Sequence, residues 1–201
     1  IVSYSGTIGK ILIFKQHLFA MCDNNIEIFK LKTFSKVNSL VAHKHCINAF
    51  IIHSSGKLLF TVARDNYLMM WNLVKYKCSY RYKFSGLELI SLNWMCNEKY
   101  IIVGFVNKFI ILDYLKDSQD FDSWNIYEHK IATSFDNPGK IVDIKVYKEK
   151  YIFVFKTNFD VEVVRTNESR LKAITYSNLI TIDVHNKNII ENLIANNIEE
   201  I

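Results

Sequence analysis

One proline and six glycines in 201 residues leave no proline-rich or glycine-rich linker to divide the chain. Cysteine is sparse as well. Cys22, Cys46, Cys78 and Cys96 are separated by 24, 32 and 18 positions, so no CxxC pair exists. That spacing signals neither a zinc site nor a disulfide framework, and reduced, partly buried thiols are the expectation. No apolar run approaches the roughly 20 residues that a membrane-spanning helix needs; YIIVGFV, residues 100–106, is among the longest. A signal-peptide pattern is missing, and the first residue is Ile1 rather than Met, which reads as a piece of something longer. The phosphate-loop, dinucleotide-fingerprint, HExxH and GxSxG motifs are all absent, so catalysis has no support, and no cofactor or metal is expected. Charge is not extreme either. With 25 basic and 20 acidic residues the net charge of +5 permits an acidic or nucleic-acid partner without requiring one. What is present is an apolar content of 50%, enough for a well-buried core, and too few charges for disorder.

A repeat runs through the chain. HLFAMCDNNIEIFKL (17–31), KLLFTVARDNYLMMWNL (57–73), KYIIVGFVNKFIILDYL (99–115) and KYIFVFKTNFDVEVV (150–164) share one shape: a strand-length apolar run, a tight polar turn and a second such run. The turn residues Asp23, Asp65 and Asn107 follow at steps of 42, and Asn158 at a step of 51. A period near 42 is that of a four-stranded propeller blade. The fold expected is an all-β WD-repeat β-propeller, with about four to five blades in this chain. The approximate units are 4–43, 44–86, 87–138, 139–177 and an incomplete 178–201. The longer third step is assigned to Leu115–Phe135, read as an outer strand plus a loop insertion of about ten residues. In the tail, IIENLIANNIEEI has helical spacing, with an incompletely connected strand as the alternative.

In a WD-repeat blade a His, a hydroxyl residue, an Asp and a Trp are joined by hydrogen bonds. His43, Asp65 and Trp71 fill three of these places, and the hydroxyl place is expected at Ala63, leaving the network incomplete. The first unit has Tyr4 for the His and Phe29 for the Trp, and the third has Asn107 for the Asp. His43 beside Asp65 is therefore read as structural, since no nucleophile in a recognisable motif accompanies it.

Two surface candidates follow. Propellers bind through the loops leading into their inner strands, which selects Lys44, His45, Cys46, Asn48 and Arg64 as partner-binding candidates. In KYKCSYRYKF (75–84), Lys75, Lys77, Arg81 and Lys83 alternate with Tyr76, Tyr80, Tyr82 and Phe84. As an outer strand this stretch would carry a basic stripe on one face and pack the aromatics with the other. The stripe offers contacts to RNA phosphates, or protects a sheet edge from pairing with another chain.

SGTI (5–8), HLFAMCDNNIEIF, SLVAHKHCIN (39–48), HSSGKLLFTVARDNYLMMWNLV (53–74) and NKFIILDYL (107–115), in that order, resemble the p21-activated-kinase-interacting protein family, WD-repeat factors of large ribosomal subunit assembly. The likeness covers residues 4 to about 115, and residues 139–177 match in pattern alone. It implies seven blades in the complete propeller. It also implies a non-catalytic nucleolar scaffold that binds assembly proteins, with ribosomal precursor RNA as a candidate contact and with no membrane and no small-molecule substrate. The alternative it carries is an adaptor that binds and restrains a p21-activated-type kinase. A ubiquitin-ligase substrate receptor is disfavoured because Leu73 and Val74, not Arg, follow Trp71-Asn72.

Overall fold

The computed structural model describes residues 6–86, 88–116, 121–130, 139–147, 151–157, 160–165 and 180–183. Within them sixteen strands form four antiparallel four-stranded sheets. The first sheet holds β1 (Ile8–Phe14), β2 (His17–Cys22), β3 (Asn25–Lys30) and β4 (Lys36–Val41). The second holds β5 (Ile47–Ile52), β6 (Leu58–Ala63), β7 (Tyr67–Asn72) and β8 (Lys77–Lys83). The third holds β9 (Leu89–Met95), β10 (Tyr100–Phe105), β11 (Lys108–Leu112) and β12 (Asn125–Lys130). The fourth holds β13 (Ile141–Tyr147), β14 (Tyr151–Lys156), β15 (Asp160–Arg165) and β16 (Ile180–Asp183). Each sheet is a simple meander in chain order, with short connections between its first three strands and longer ones to the outer strand in the third and fourth sheets.

The sheets are the blades of a propeller. Their first strands lie side by side, β1 on β5, β5 on β9 and β9 on β13. The core consists of the layers between successive sheets. Phe19, Ile26 and Leu40 meet Phe50, Leu59 and Trp71 between the first and second. Phe60 and Leu68 meet Leu92, Ile101 and Val103 between the second and third, and Ile102 and Phe109 meet Ile144 and Val154 between the third and fourth. The central strands are apolar on both faces because each face closes a different layer, which is why β6 and β10 read as continuous apolar runs rather than as alternating ones.

Two irregularities recur. Every first strand bulges one residue in, at Gly9, Asn48, Ile90 and Val142. The outermost strand bulges at Val37, Ser79 and Ile126 in the first three sheets. A bulge adds twist and bends the strand, which suits sheets arranged radially. Backbone bonds tie the sheets at their upper ends, where the Ile47 amide donates to the Asp23 carbonyl and the Ile141 amide to the Val106 carbonyl, both at 2.8 Å.

One expectation changes. Ile180–Asp183 pairs with β15 and completes the fourth sheet, whereas the repeat pattern opens a fifth unit at 178. The fourth sheet takes this apolar run as its outer strand, antiparallel to β15, as the other three sheets take theirs. The outer strand expected after Leu115 is present as β12, and the 3-10 turn Phe121–Trp124 leads into it. Tyr4, Asn158 and the IIENLIANNIEEI stretch lie outside the described residues.

Candidate functional site

His43 stands in the loop from β4 to β5, and Asp65 in the turn from β6 to β7. The His43 Nδ1 lies 3.1 and 3.0 Å from the two Asp65 carboxylate oxygens, and Asp65 also accepts from the Lys44 and Tyr67 amides at 2.9 and 3.1 Å. The hydroxyl of the network is Thr61, not Ala63. Its Oγ1 accepts from Trp71 Nε1 at 2.9 Å and lies 2.6 Å from His43 Nε2. Both Thr61 and Ala63 point to the same face of β6, one pleat apart, and the indole on β7 reaches the cross-strand diagonal neighbour Thr61. The signal was in the sequence: Thr61 is the one hydroxyl-bearing residue of LLFTVA.

One proton arrangement satisfies every atom. Trp71 donates to Thr61, the Thr61 hydroxyl donates to Nε2, and the protonated Nδ1 donates to Asp65. It requires neutral His43. Burial holds the His43 imidazole below its usual pKa, and the Asp65 charge opposes that shift only in part. The His43–Asp65 pair is thus saturated by the fold, with no free ring nitrogen to serve as a base.

Around this network Lys44, His45, Cys46 and Arg64 are exposed, and the Arg64 amide donates to the Cys46 carbonyl at 3.0 Å. These four candidates form one surface at the upper end. Asn48 does not join them: it is half-buried, and its side-chain amide donates to the Leu89 carbonyl on the next sheet. Asn93 repeats the device one sheet on, donating to the Ile144 carbonyl at 2.6 Å. Among the cysteines, Cys22 and Cys96 are buried, and none of the four is in a disulfide.

The candidate basic stripe is split. Lys77, Arg81 and Lys83 are exposed on β8, and Lys75 lies in the turn before it. The bulge at Ser79 breaks the period of two. Lys77 pairs with Asn72 on the face of Met70, while Arg81 and Lys83 pair with Met69 and Tyr67 on the opposite face. The aromatics pack inward but into two layers: Tyr76 joins the core between the first and second sheets, while Tyr80 stacks on Trp124 of the 3-10 turn at 4.8 Å and Phe84 meets Phe105 of the third sheet at 5.0 Å. Lys83 rests over the Tyr67 ring at 5.8 Å.

A second buried polar group, unmarked in sequence, joins the third and fourth sheets. Glu162 on β15 is fully buried and holds Lys156 at 2.9 Å and His129 of β12 at 2.7 Å. Burial pushes the Glu162 carboxyl up, but the hydrogen bonds and charges of His129 and Lys156 outweigh it and leave the pKa below the usual carboxylate value. Among the described residues no three His, Cys, Asp or Glu side chains are grouped to hold a metal.

No family model matches the chain. It is similar to U3 small nucleolar RNA-associated protein 9 of Saccharomyces cerevisiae, with 22% identity over 140 residues, which are 67% of this chain and 24% of the yeast protein. The chain spans about a quarter of the length of that curated relative. What fold and geometry establish together is a WD-repeat propeller in which the buried His43 and Glu162 are committed to holding its blades.

Proposed function

We propose that this chain belongs to a non-catalytic propeller scaffold of ribosome assembly in the nucleolus, binding assembly proteins through the Lys44, His45, Cys46 and Arg64 surface. The observation that carries the reading is the likeness to a small-nucleolar-RNA-associated protein across 140 residues of a propeller. The saturated His43–Asp65 pair supports the non-catalytic part, because every donor and acceptor in it is engaged within the fold. The finer reading, assembly of the large subunit, follows the resemblance of residues 4 to about 115.

Affinity purification of the tagged full-length protein, with the bound RNA sequenced, tests both levels. Enriched ribosomal precursor RNA supports the scaffold, and the region of the precursor that is recovered decides the subunit. Recovery of proteins with no precursor RNA sinks the proposal and makes direct binding to a p21-activated-kinase regulatory segment the next measurement.

A further inference from the structure

The lower ends of the first two sheets carry four turns: Phe14–His17, Lys30–Lys36, His53–Leu58 and Asn72–Lys77. These segments contain seven lysines and no Asp or Glu. Without those seven, the 25 basic residues fall to 18 against 20 acidic ones, so this rim carries the chain's whole positive excess and the remainder is at −2. Lys36 is neutralised by Glu27 at 2.7 Å. The other six, Lys15, Lys30, Lys32, Lys57, Lys75 and Lys77, are exposed, and no carboxylate partners them among the described residues.

The lysines form a continuous track. The Leu31 amide donates to the Gln16 carbonyl at 2.9 Å, linking the turn of Lys30 and Lys32 to that of Lys15. The Lys15 ammonium donates to the Ser55 carbonyl at 3.2 Å, crossing to the second sheet. The Leu73 amide donates to the Lys57 carbonyl at 2.9 Å, which brings in the turn of Lys75. Beside the track stands Phe34, 57% exposed at a φ of 50°. A bulky residue in the left-handed region is strained. Its counterpart Tyr76, 42 residues on, has φ 51° but is half-buried against the core between the sheets. Tyr76 thus has a packing role that Phe34 lacks, and the Phe34 ring stands in water.

We propose that this lysine track binds single-stranded RNA, with the lysines on successive phosphates and Phe34 as a platform on which a base stacks. Basic side chains that follow a backbone, interleaved with an exposed ring, are the two components of single-strand recognition. The proposal rests on the ribosome-assembly reading for its biological source of RNA, but not for its chemistry. An acidic protein segment would use the lysines without needing Phe34.

The test is fluorescence anisotropy of the full-length protein with a labelled oligouridylate of about twelve nucleotides, read between about 50 and 200 mM salt. Lys15→Glu with Lys57→Glu is expected to weaken binding and to reduce the salt slope by about 1.4, roughly 0.7 for each phosphate no longer neutralised. Phe34→Asn is expected to weaken binding about tenfold at an unchanged slope. It should also raise the melting temperature, because Asn tolerates the left-handed region. Lys130→Glu with Lys140→Glu, equal in charge change and distant from the track, should leave affinity within about twofold of wild type. No binding by the wild type, or equal weakening in the distant pair, overturns the proposal. A polyglutamate peptide that binds as tightly as the RNA and ignores Phe34→Asn overturns it in favour of an acidic protein. Because purified components are used, the outcome is separate from co-purification with precursor RNA.

Discussion

Thr61 is the residue on which the second blade's polar network turns. Its hydroxyl bridges Trp71 and His43, so an isosteric change to valine strands an indole N–H and a ring nitrogen in a dry layer. Thr61→Val should cost about 1–3 kcal/mol, read as a lower denaturation midpoint at unchanged slope, with Thr61→Ser recovering most of it. A Thr61→Val variant as stable as wild type would mean that the network contributes nothing. The same geometry sets a pH dependence. Burial lowers the His43 pKa in the folded state, so below the ordinary value of 6.5 the unfolded chain binds a proton that the folded one refuses. The stability from neutral His43 is present above that value and lost as pH falls below it. Glu162, whose folded pKa is also lowered, adds a second loss as pH drops below 4.5. The denaturation midpoint should therefore fall between about pH 7 and pH 5.5 in the wild type, and His43→Gln should flatten that interval while sparing the more acidic one.

At the scale of strands and sheets, the steps of 42 residues were legible because each blade repeats the same two apolar runs around a polar turn. Phe29 and Trp71 do stand at matching positions of β3 and β7. What sequence could not show was set by contacts between sheets or by a single extra residue. The bulge at Ser79 leaves KYKCSYRYKF looking periodic while reversing the face of everything beyond it. The hydroxyl of the polar network falls one pleat from its expected place for the related reason that residues two apart, Thr61 and Ala63, share a face. Asn48, a surface candidate in sequence, is drawn inward by the carbonyl of Leu89 on a sheet that begins 41 residues later. Glu162 and His129 lie on different sheets, and nothing in either neighbourhood announces the other. Gly104, in the run IIVGF, reads as a weak spot in a strand. In the fold it is a close approach: a Cβ there would come within 2.8 Å of Ile144 on the fourth sheet and would overlap the Ser91 hydroxyl on β9. Gly104→Ala should destabilise by about 1–3 kcal/mol through overpacking, although alanine is otherwise the better strand residue. Trimming Ile144 to Val in the same chain should restore part of the loss. If the single variant is neutral, the third and fourth sheets pack less closely at this point than the structure places them.

Across the whole molecule, stability is distributed by how many faces of each sheet are covered. The second and third sheets are packed on both sides, and Leu59, Phe60, Ile101 and Ile102 are fully buried. Among the described residues the first sheet closes a layer with one face only; on the other, Ile8, Ile11 and Ile13 of β1 are 49%, 54% and 62% exposed. At about 25 cal/mol per Å² of apolar surface, an uncovered face forgoes stabilisation that the inner sheets receive twice. Local opening should follow this gradient. In hydrogen exchange on the 201-residue chain, the amides of β6 and β10 should be the slowest, while those of β1 exchange at least about tenfold faster, the equivalent of roughly 1.4 kcal/mol less protection. Equal protection in β1 and β6 would show that cooperativity spreads evenly around the blades. A gradient would mark β1 as the strand whose exposed isoleucines gain most from a further covering surface. Protection rising in β1 alone when such a surface is supplied would then identify that face as a docking face.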